Sequence, residues 1–302
     1  MLEISPDAAH SHPHRWARKR ATIPAVLAVM TLLVPAVASA SAAPATPAAR
    51  QSQSRAAASK HHGPKPTVVL VHGAFADSSS WNGVISRLEH DGYPVIAAAN
   101  PLRGLDNDSA YVSSLLSTIP GPVILVGHSY GGAVITNAAV GHANVKALVY
   151  IAAFAPDQGE SALGLTGMNP GSQLGAALVV RPYSATGGDG GDGEDGYVDQ
   201  AKFRAVFAAD VPASTADLMA AEQRPVALAA LQGASGVPAW KTIPSWYLVA
   251  GADQAIPAAT EKFMAKRAGA HTVVVPNASH AVMVSHPDQA EDLIVQAADA
   301  TG

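Results

Sequence analysis

The chain holds 302 residues, 48% of them hydrophobic, with 19 basic and 23 acidic side chains and a formal charge of −4. That balance offers no basic face to a nucleic-acid partner, and the hydrophobic share suits a globular chain rather than a disordered one. Cysteine is absent, which excludes disulfides, thiolate metal sites and a thiol nucleophile together.

Arg15, Arg18, Lys19 and Arg20 precede an uncharged run, Ile23 to Val37, followed by small residues. This is the layout of an export signal. The run is shorter than the ~20 residues a spanning helix needs and contains Pro24 and Pro35, so cleavage is expected rather than a stable membrane anchor. Ala38-Ser39-Ala40 fits the small-x-small cleavage rule, as does Ala40-Ser41-Ala42. Residues 1–40 are therefore read as a signal peptide and the mature protein as secreted. Residues 41–66, rich in Ala, Pro and Ser, lack hydrophobic periodicity and read as a flexible linker. Within the linker, His61 and His62 have no third ligand nearby and read as solvated.

From Thr67 to Gly302 the pattern is that of one α/β domain. Near-continuous apolar runs predict strands at Thr67–Val71, Pro94–Ala98, Pro122–Val126, Val145–Ile151, Ser245–Ala250 and His271–Val275. Continuous rather than alternating apolarity implies a parallel sheet covered on both faces. The covering helices are expected at Trp81–His90, Ala110–Thr118, Gly131–Gly141, Ala258–Ala268 and Pro287–Ala298. Residues 156–244 interrupt this alternation with helical pieces at Asp199–Ala209 and Ser214–Gln223 and no convincing strand. They read as a mainly helical cap inserted over the C-terminal strand ends, where ligands bind in such sheets. The run Gly187–Gly196, with Asp189, Asp192, Glu194 and Asp195, departs from the calcium-loop spacing and reads as a solvated loop.

Gly127-His128-Ser129-Tyr130-Gly131 lies between an apolar strand and a helix. In that context a G-x-S-x-G run makes a sharp strand-to-helix turn that lifts the serine hydroxyl above the sheet edge. A neutral hydroxyl attacks poorly and needs a base, an orienting acid and donors for an oxyanion. In chain order Ser, acid, His, the acid is Asp253, in the loop after Ser245–Ala250, and the base is His280, after His271–Val275. Asp157, also beyond a core strand, is the alternative acid. His286 reads as a helix cap, His128 as pointing away from the serine, and His72 as a brace for the loops. The oxyanion donors are expected to be the backbone N–H of Tyr130 and that of Ala74 in His72-Gly73-Ala74-Phe75, with Phe75 as pocket wall or substitute donor. Such a triad is complete without metal or cofactor, and none is expected.

Val71-His72-Gly73-Ala74 through Trp81, the Gly127–Gly131 turn, Asp253 before Ile256-Pro257, and Ala278-Ser279-His280 together resemble the α/β-hydrolase superfamily. The likeness is to its compact branch of small serine esterases, plant methyl-ester esterases and hydroxynitrile lyases, and it spans Thr67 to Gly302. It implies an α/β-hydrolase fold, a six-stranded mostly parallel sheet with helices on both faces and a helical cap, and a Ser129–His280–Asp253 triad acting on a small-molecule ester. The related lyases carry threonine where Gly73 stands and lysine where Ala281 stands, so the lyase reaction is not expected. Aspartate-nucleophile branches are excluded by Ser129. Cofactor-free haloperoxidase or perhydrolase chemistry, and a non-catalytic ligand-binding module, are the alternatives. Phe75 and Trp240 are expected to bind substrate, and Tyr197, Phe203, Phe207 and Met219 are further pocket candidates from the cap.

Overall fold

The computed structural model describes residues 64–184 and 192–302. The expected signal peptide, most of the linker including His61 and His62, and Asp189 lie outside the described residues.

Six strands, β1 (Thr67–Val71), β2 (Val95–Ala98), β3 (Val123–His128), β4 (Val145–Ile151), β8 (Ser245–Ala250) and β9 (His271–Val275), form one sheet in the order β2-β1-β3-β4-β8-β9. Every pairing in it is parallel. Side chains alternate between its two faces. Val69, Val71, Leu125, Leu148, Tyr150 and Val249 enter one core, with α2 (Leu105–Ser117), α3 (Tyr130–Ala138) and α6 (Ala258–Arg267). Val68, Leu70, Ile124, Val126, Val149 and Leu248 enter the other, against α1 (Asn82–His90) and α7 (Pro287–Thr301). Both faces of the central strands are thus dry, which is why their sequences are apolar without interruption. Edge strand β9 differs: Val273 and Val274 remain exposed.

The insertion is not wholly helical. It contains α4 (Gln200–Phe207) and α5 (Ala213–Glu222), but also an antiparallel sheet in the order β5-β6-β7, with β5 (Leu178–Tyr183), β6 (Gly193–Val198) and β7 (Val226–Ala227). This corrects the expectation of a cap without strands and turns part of the acidic glycine run into β6. The segment Gly193-Glu194-Asp195-Gly196 has poor strand propensity, and it is held by partners distant in sequence. Its pairings run Arg181 to Asp195 in β5 and Gly196 to Val226 in β7, and Asp195 also pairs with Arg103 at 2.8 Å. Pro182, which cannot donate to a ladder, sits on the outer strand, where such a residue is tolerated.

β1 leads to β2 on one side of itself, whereas β3 lies on the other. The loops after β1 and β3 therefore diverge at a topological switch point, where such sheets form a crevice. Register places Val71 beside Gly127, so the two loops leave the sheet together. A Cβ on Gly131 would lie 2.4 Å from the Val71 carbonyl oxygen, and one on Gly132 would lie 2.4 Å from that of Phe154. Both are backbone collisions that no rotamer relieves. Gly132→Ala is expected to lower unfolding stability by about 1–3 kcal/mol, the usual cost of overpacking, read as a lower urea midpoint at unchanged slope.

Candidate active site

Ser129 joins β3 to α3 with φ 53° and ψ −125°, a left-handed backbone that a side-chain-bearing residue adopts only under constraint. The constraint is visible in its carbonyl, which accepts from Gly132 N at 2.9 Å and Phe154 N at 3.0 Å. Fixed this way, Ser129 lines a cavity of about 90 Å³ together with His280, Ala74, Phe75 and Tyr130. The amides of Ala74 and Tyr130 donate to no acceptor among the described residues. Tyr130 opens α3, so its N–H belongs to the donor-rich end of the helix dipole.

His280 follows β9 and Asp253 follows β8, adjacent strands whose loops bring the two side chains together. His280 Nδ1 lies 2.6 Å from Asp253 Oδ2. Asp253 Oδ1 accepts from Ala255 N at 2.6 Å and Ile256 N at 2.9 Å. Both oxygens are thus occupied by donors, as an anion requires in a buried setting. With Nδ1–H donated to the carboxylate, Nε2 is left as the acceptor on the ring. The His280 ring is flanked by Phe207 in edge contact and by His128, each at 4.7 Å between centroids.

The remaining histidines fall into supporting places. His128 is fully buried and its Nε2 bonds to the His280 carbonyl at 3.0 Å. Burial holds its pKa well below the usual 6.5, with His280 nearby adding to that shift, so it stays neutral and acts as a donor. His72 Nδ1 bonds to the Gly73 carbonyl at 2.9 Å, and its own carbonyl accepts from Asn100 Nδ2 at 3.0 Å, which pins the loop carrying Ala74. His286 pairs with Asp210 at 3.2 Å, and Asp210 also accepts from the Ser279 hydroxyl. Asp157 is occupied at the surface, 2.6 Å from Lys241, which lowers its pKa.

The cap supplies half of the cavity wall, with Ala162, Leu163, Thr166, Leu174, Gly175, Leu178, Phe207 and Leu231, and the core loops add Phe154 and Ile256 among others. Of the aromatic candidates, Phe75 and Phe207 reach it. Trp240 does not line it, because its indole N–H is committed to the Pro156 carbonyl at 2.9 Å and its ring to packing beneath Lys241 and Arg267. Phe203 stacks on Phe207 instead of facing the cavity, and Tyr197 and Met219 line separate surface grooves.

One supporting group was invisible in sequence. Asp108, in the first turn of α2, is completely buried; it accepts from the Tyr130 hydroxyl at 2.8 Å and from Arg103 N at 3.0 Å. Arg103 in turn reaches Asp195 at 2.8 Å and the Pro225 carbonyl at 3.1 Å. Its pattern position is that of any first-turn aspartate, which normally faces solvent, so no periodicity signals it.

The sequence matches the model of the alpha/beta hydrolase family over residues 68–293. It is 28% identical over 268 residues to an alpha/beta hydrolase of Aspergillus novofumigatus, covering 78% of this chain and 97% of that one. It is likewise 28% identical over 257 residues to a pyrethroid hydrolase of Sphingobium wenxiniae, covering 77% and 88%. The fold is also that of a methylesterase from Arabidopsis, with a TM-score of 0.62 at 20% identity over 77% of this chain and 98% of that one.

Neutral His128 carries a consequence for stability. The unfolded chain takes up a proton at this residue below about pH 6.5 and the folded chain does not, so its contribution to stability falls as pH drops through that value. The loss approaches about 1.4 kcal/mol per pH unit for one such group. His128→Gln keeps an N–H for the His280 carbonyl and removes the titration. Its denaturation midpoint is expected to depend less on pH between 7 and 5 than that of the unaltered protein.

Proposed function

The chain belongs to the alpha/beta hydrolase family, and from that premise we propose that it hydrolyses carboxylic esters through an acyl-enzyme on Ser129. The observation that carries this reading is the pairing of His280 with Asp253 at 2.6 Å beside a cavity that His280 and Ser129 both line.

In this mechanism Ser129 Oγ attacks the ester carbonyl while His280 Nε2 takes its proton, and Asp253 holds the imidazole in the tautomer that leaves Nε2 free. Charge collects on the carbonyl oxygen, which the N–H groups of Ala74 and Tyr130 receive. His280 then gives its proton to the departing alcohol. Water attacks the acyl-enzyme by the same route, with His280 again as base, and releases the acid.

The cavity also argues for a substrate class. Apart from Ser129, His280 and the Tyr130 hydroxyl already bound to Asp108, Thr166 supplies its polar side chain; the rest of the lining is apolar. An ionised substrate would lose its hydration there without a partner, at a cost of several kcal/mol. The reading is therefore of a neutral ester with a small apolar group in the cavity, and Phe75 and Phe207 forming the walls against it. Phe207 does double duty: its carbonyl accepts from Ala281 N at 2.9 Å, so the cap residue that shapes the pocket also holds the loop of His280. The proposal includes export, supported by the basic and apolar segments before residue 41.

Ser129→Ala is expected to keep the fold and lose turnover of p-nitrophenyl esters by on the order of 10⁶; a folded variant retaining several per cent of activity would exclude Ser129 as nucleophile. Asp253→Asn is expected to cost roughly 10⁴, and Asp157→Asn to stay within about twofold, since its partner is a surface lysine. Across an ester panel, short neutral acyl groups are expected to turn over faster than dicarboxylate half-esters of equal length. Export is checked by N-terminal sequencing of protein recovered from culture medium, where a start near Ser41 is expected and a start at Met1 would refute cleavage.

A further inference from the structure

A second carboxyl lies behind Asp253. Glu261, in the first turn of α6, is completely buried. Its Oε2 accepts from Ala250 N, the last residue of β8, at 3.1 Å. Its Oε1 is buried without an N–H or hydroxyl donor. Asp253 stands at the same turn, its N–H donating to the carbonyl of that Ala250 at 3.4 Å, and its charge acts on the Glu261 carboxyl. Two carboxyl groups can share a hydrogen bond only if one of them keeps its proton, so the arrangement poses the question of which.

The donors decide it. Asp253 accepts from His280 Nδ1, Ala255 N and Ile256 N, a set built for a negative charge. Glu261 accepts from a single backbone N–H. The groups that act on it are Asp253, whose charge opposes ionisation, and Lys262, whose contribution is the weakest, while Tyr247, which feels the charge of Glu261, donates its hydroxyl to the Ala153 carbonyl. The start of α6 favours an anion by a fraction of what full burial costs one. Burial first, and Asp253 second, push the Glu261 pKa well above the ordinary carboxylate range.

We propose that Glu261 is a positioning residue: as a neutral carboxylic acid it donates its proton in a hydrogen bond to the Asp253 carboxylate and thereby fixes the orientation in which Asp253 receives His280 Nδ1–H. No bond is made or broken. The proton stays on Glu261 through the cycle, and its effect reaches the chemistry through Asp253 and His280. This role rests on the triad reading above, and the charge assignment stands apart from it.

The test compares Glu261→Gln with Glu261→Leu, beside the unaltered protein. Glutamine is neutral and of the same shape; its amide N–H can face Asp253 while its carbonyl accepts from Ala250 N. It is expected to keep kcat within about threefold with the acid limb of the pH profile unchanged. Leucine removes the donor, and kcat is expected to fall by about tenfold or more, the worth of one hydrogen bond to a charge, with KM little changed. Its acid limb should move to higher pH, because an Asp253 charge relieved of one donor holds the imidazolium more tightly. Infrared spectroscopy at pH 7 supplies the readout that needs no activity: a protonated-carboxylic-acid band in the unaltered protein that Glu261→Gln abolishes. Lack of that band overturns the charge assignment. A Glu261→Gln variant as impaired as Glu261→Leu, or a folded Glu261→Leu with unaltered kcat and pH profile, overturns the positioning role. If Glu261→Leu does not fold, Glu261→Gln and the infrared band decide. Should Ser129→Ala retain activity, the triad reading fails while the infrared result still decides the state of Glu261.

Discussion

The close approach of backbone to backbone at the turn after β3 is the constraint on which the site depends. Gly131 passes within reach of the Val71 carbonyl and Gly132 within reach of that of Phe154, so three adjacent strand ends, of β1, β3 and β4, are locked at one point. Ser129 is the residue left between them, and its left-handed backbone follows from the lock. The energy needed to hold that conformation, of order 1–3 kcal/mol, is supplied by the packed sheet beneath, whose central strands are buried on both faces. The direction of the hydroxyl and the donors beside it are fixed by the same contact, since Ala74 leaves β1 and Tyr130 leaves β3 in adjacent registers.

The cap is fastened to this platform at two places that matter for geometry. Asp210 grips Ser279 and His286 on either side of His280, and Phe207 accepts from Ala281 N. On the opposite flank Arg103 ties β6 and Pro225 to Asp108, which holds the Tyr130 hydroxyl. His280 and Tyr130 are thus each connected to the insertion that forms half of the cavity wall. A cap that shifts would move both, which links the shape of the cavity to the placement of His280 and Tyr130 through short hydrogen-bonded paths rather than through distant packing.

Buried ionisable groups cluster around Ser129, His280 and Asp253, and burial sorts their charge states. His128 stays neutral and donates to the His280 carbonyl. Asp253 collects donors from His280 Nδ1, Ala255 N and Ile256 N. Asp108 is pushed upward by burial but retains donors from Arg103 N and Tyr130. The common logic is that a dry site tolerates a charge only where several N–H or O–H groups converge on it, and convergence is what distinguishes Asp253 from its neighbours.

The sequence by itself determined the parallel sheet, because strands dry on both faces must be continuously apolar, and β1, β4, β8 and β9 occupy the residues that pattern marks. It also determined the order of Ser129, Asp253 and His280 and their placement after β3, β8 and β9, since local turn chemistry and chain order suffice for that. It could not determine the cap sheet: β6 runs through Gly193 and Gly196, and its strand form exists only because β5, β7 and Arg103 supply partners from far along the chain. Nor could it choose the pocket wall, where Trp240 is turned away by a hydrogen bond to Pro156 and Leu163, Thr166 and Leu174 take the place expected of it. Asp108 and Glu261 were silent for the same reason. A carboxylate in the first turn of a helix ordinarily faces water, and only the packing of that helix against its neighbours decides that it is buried, whom it meets and whether it keeps its proton.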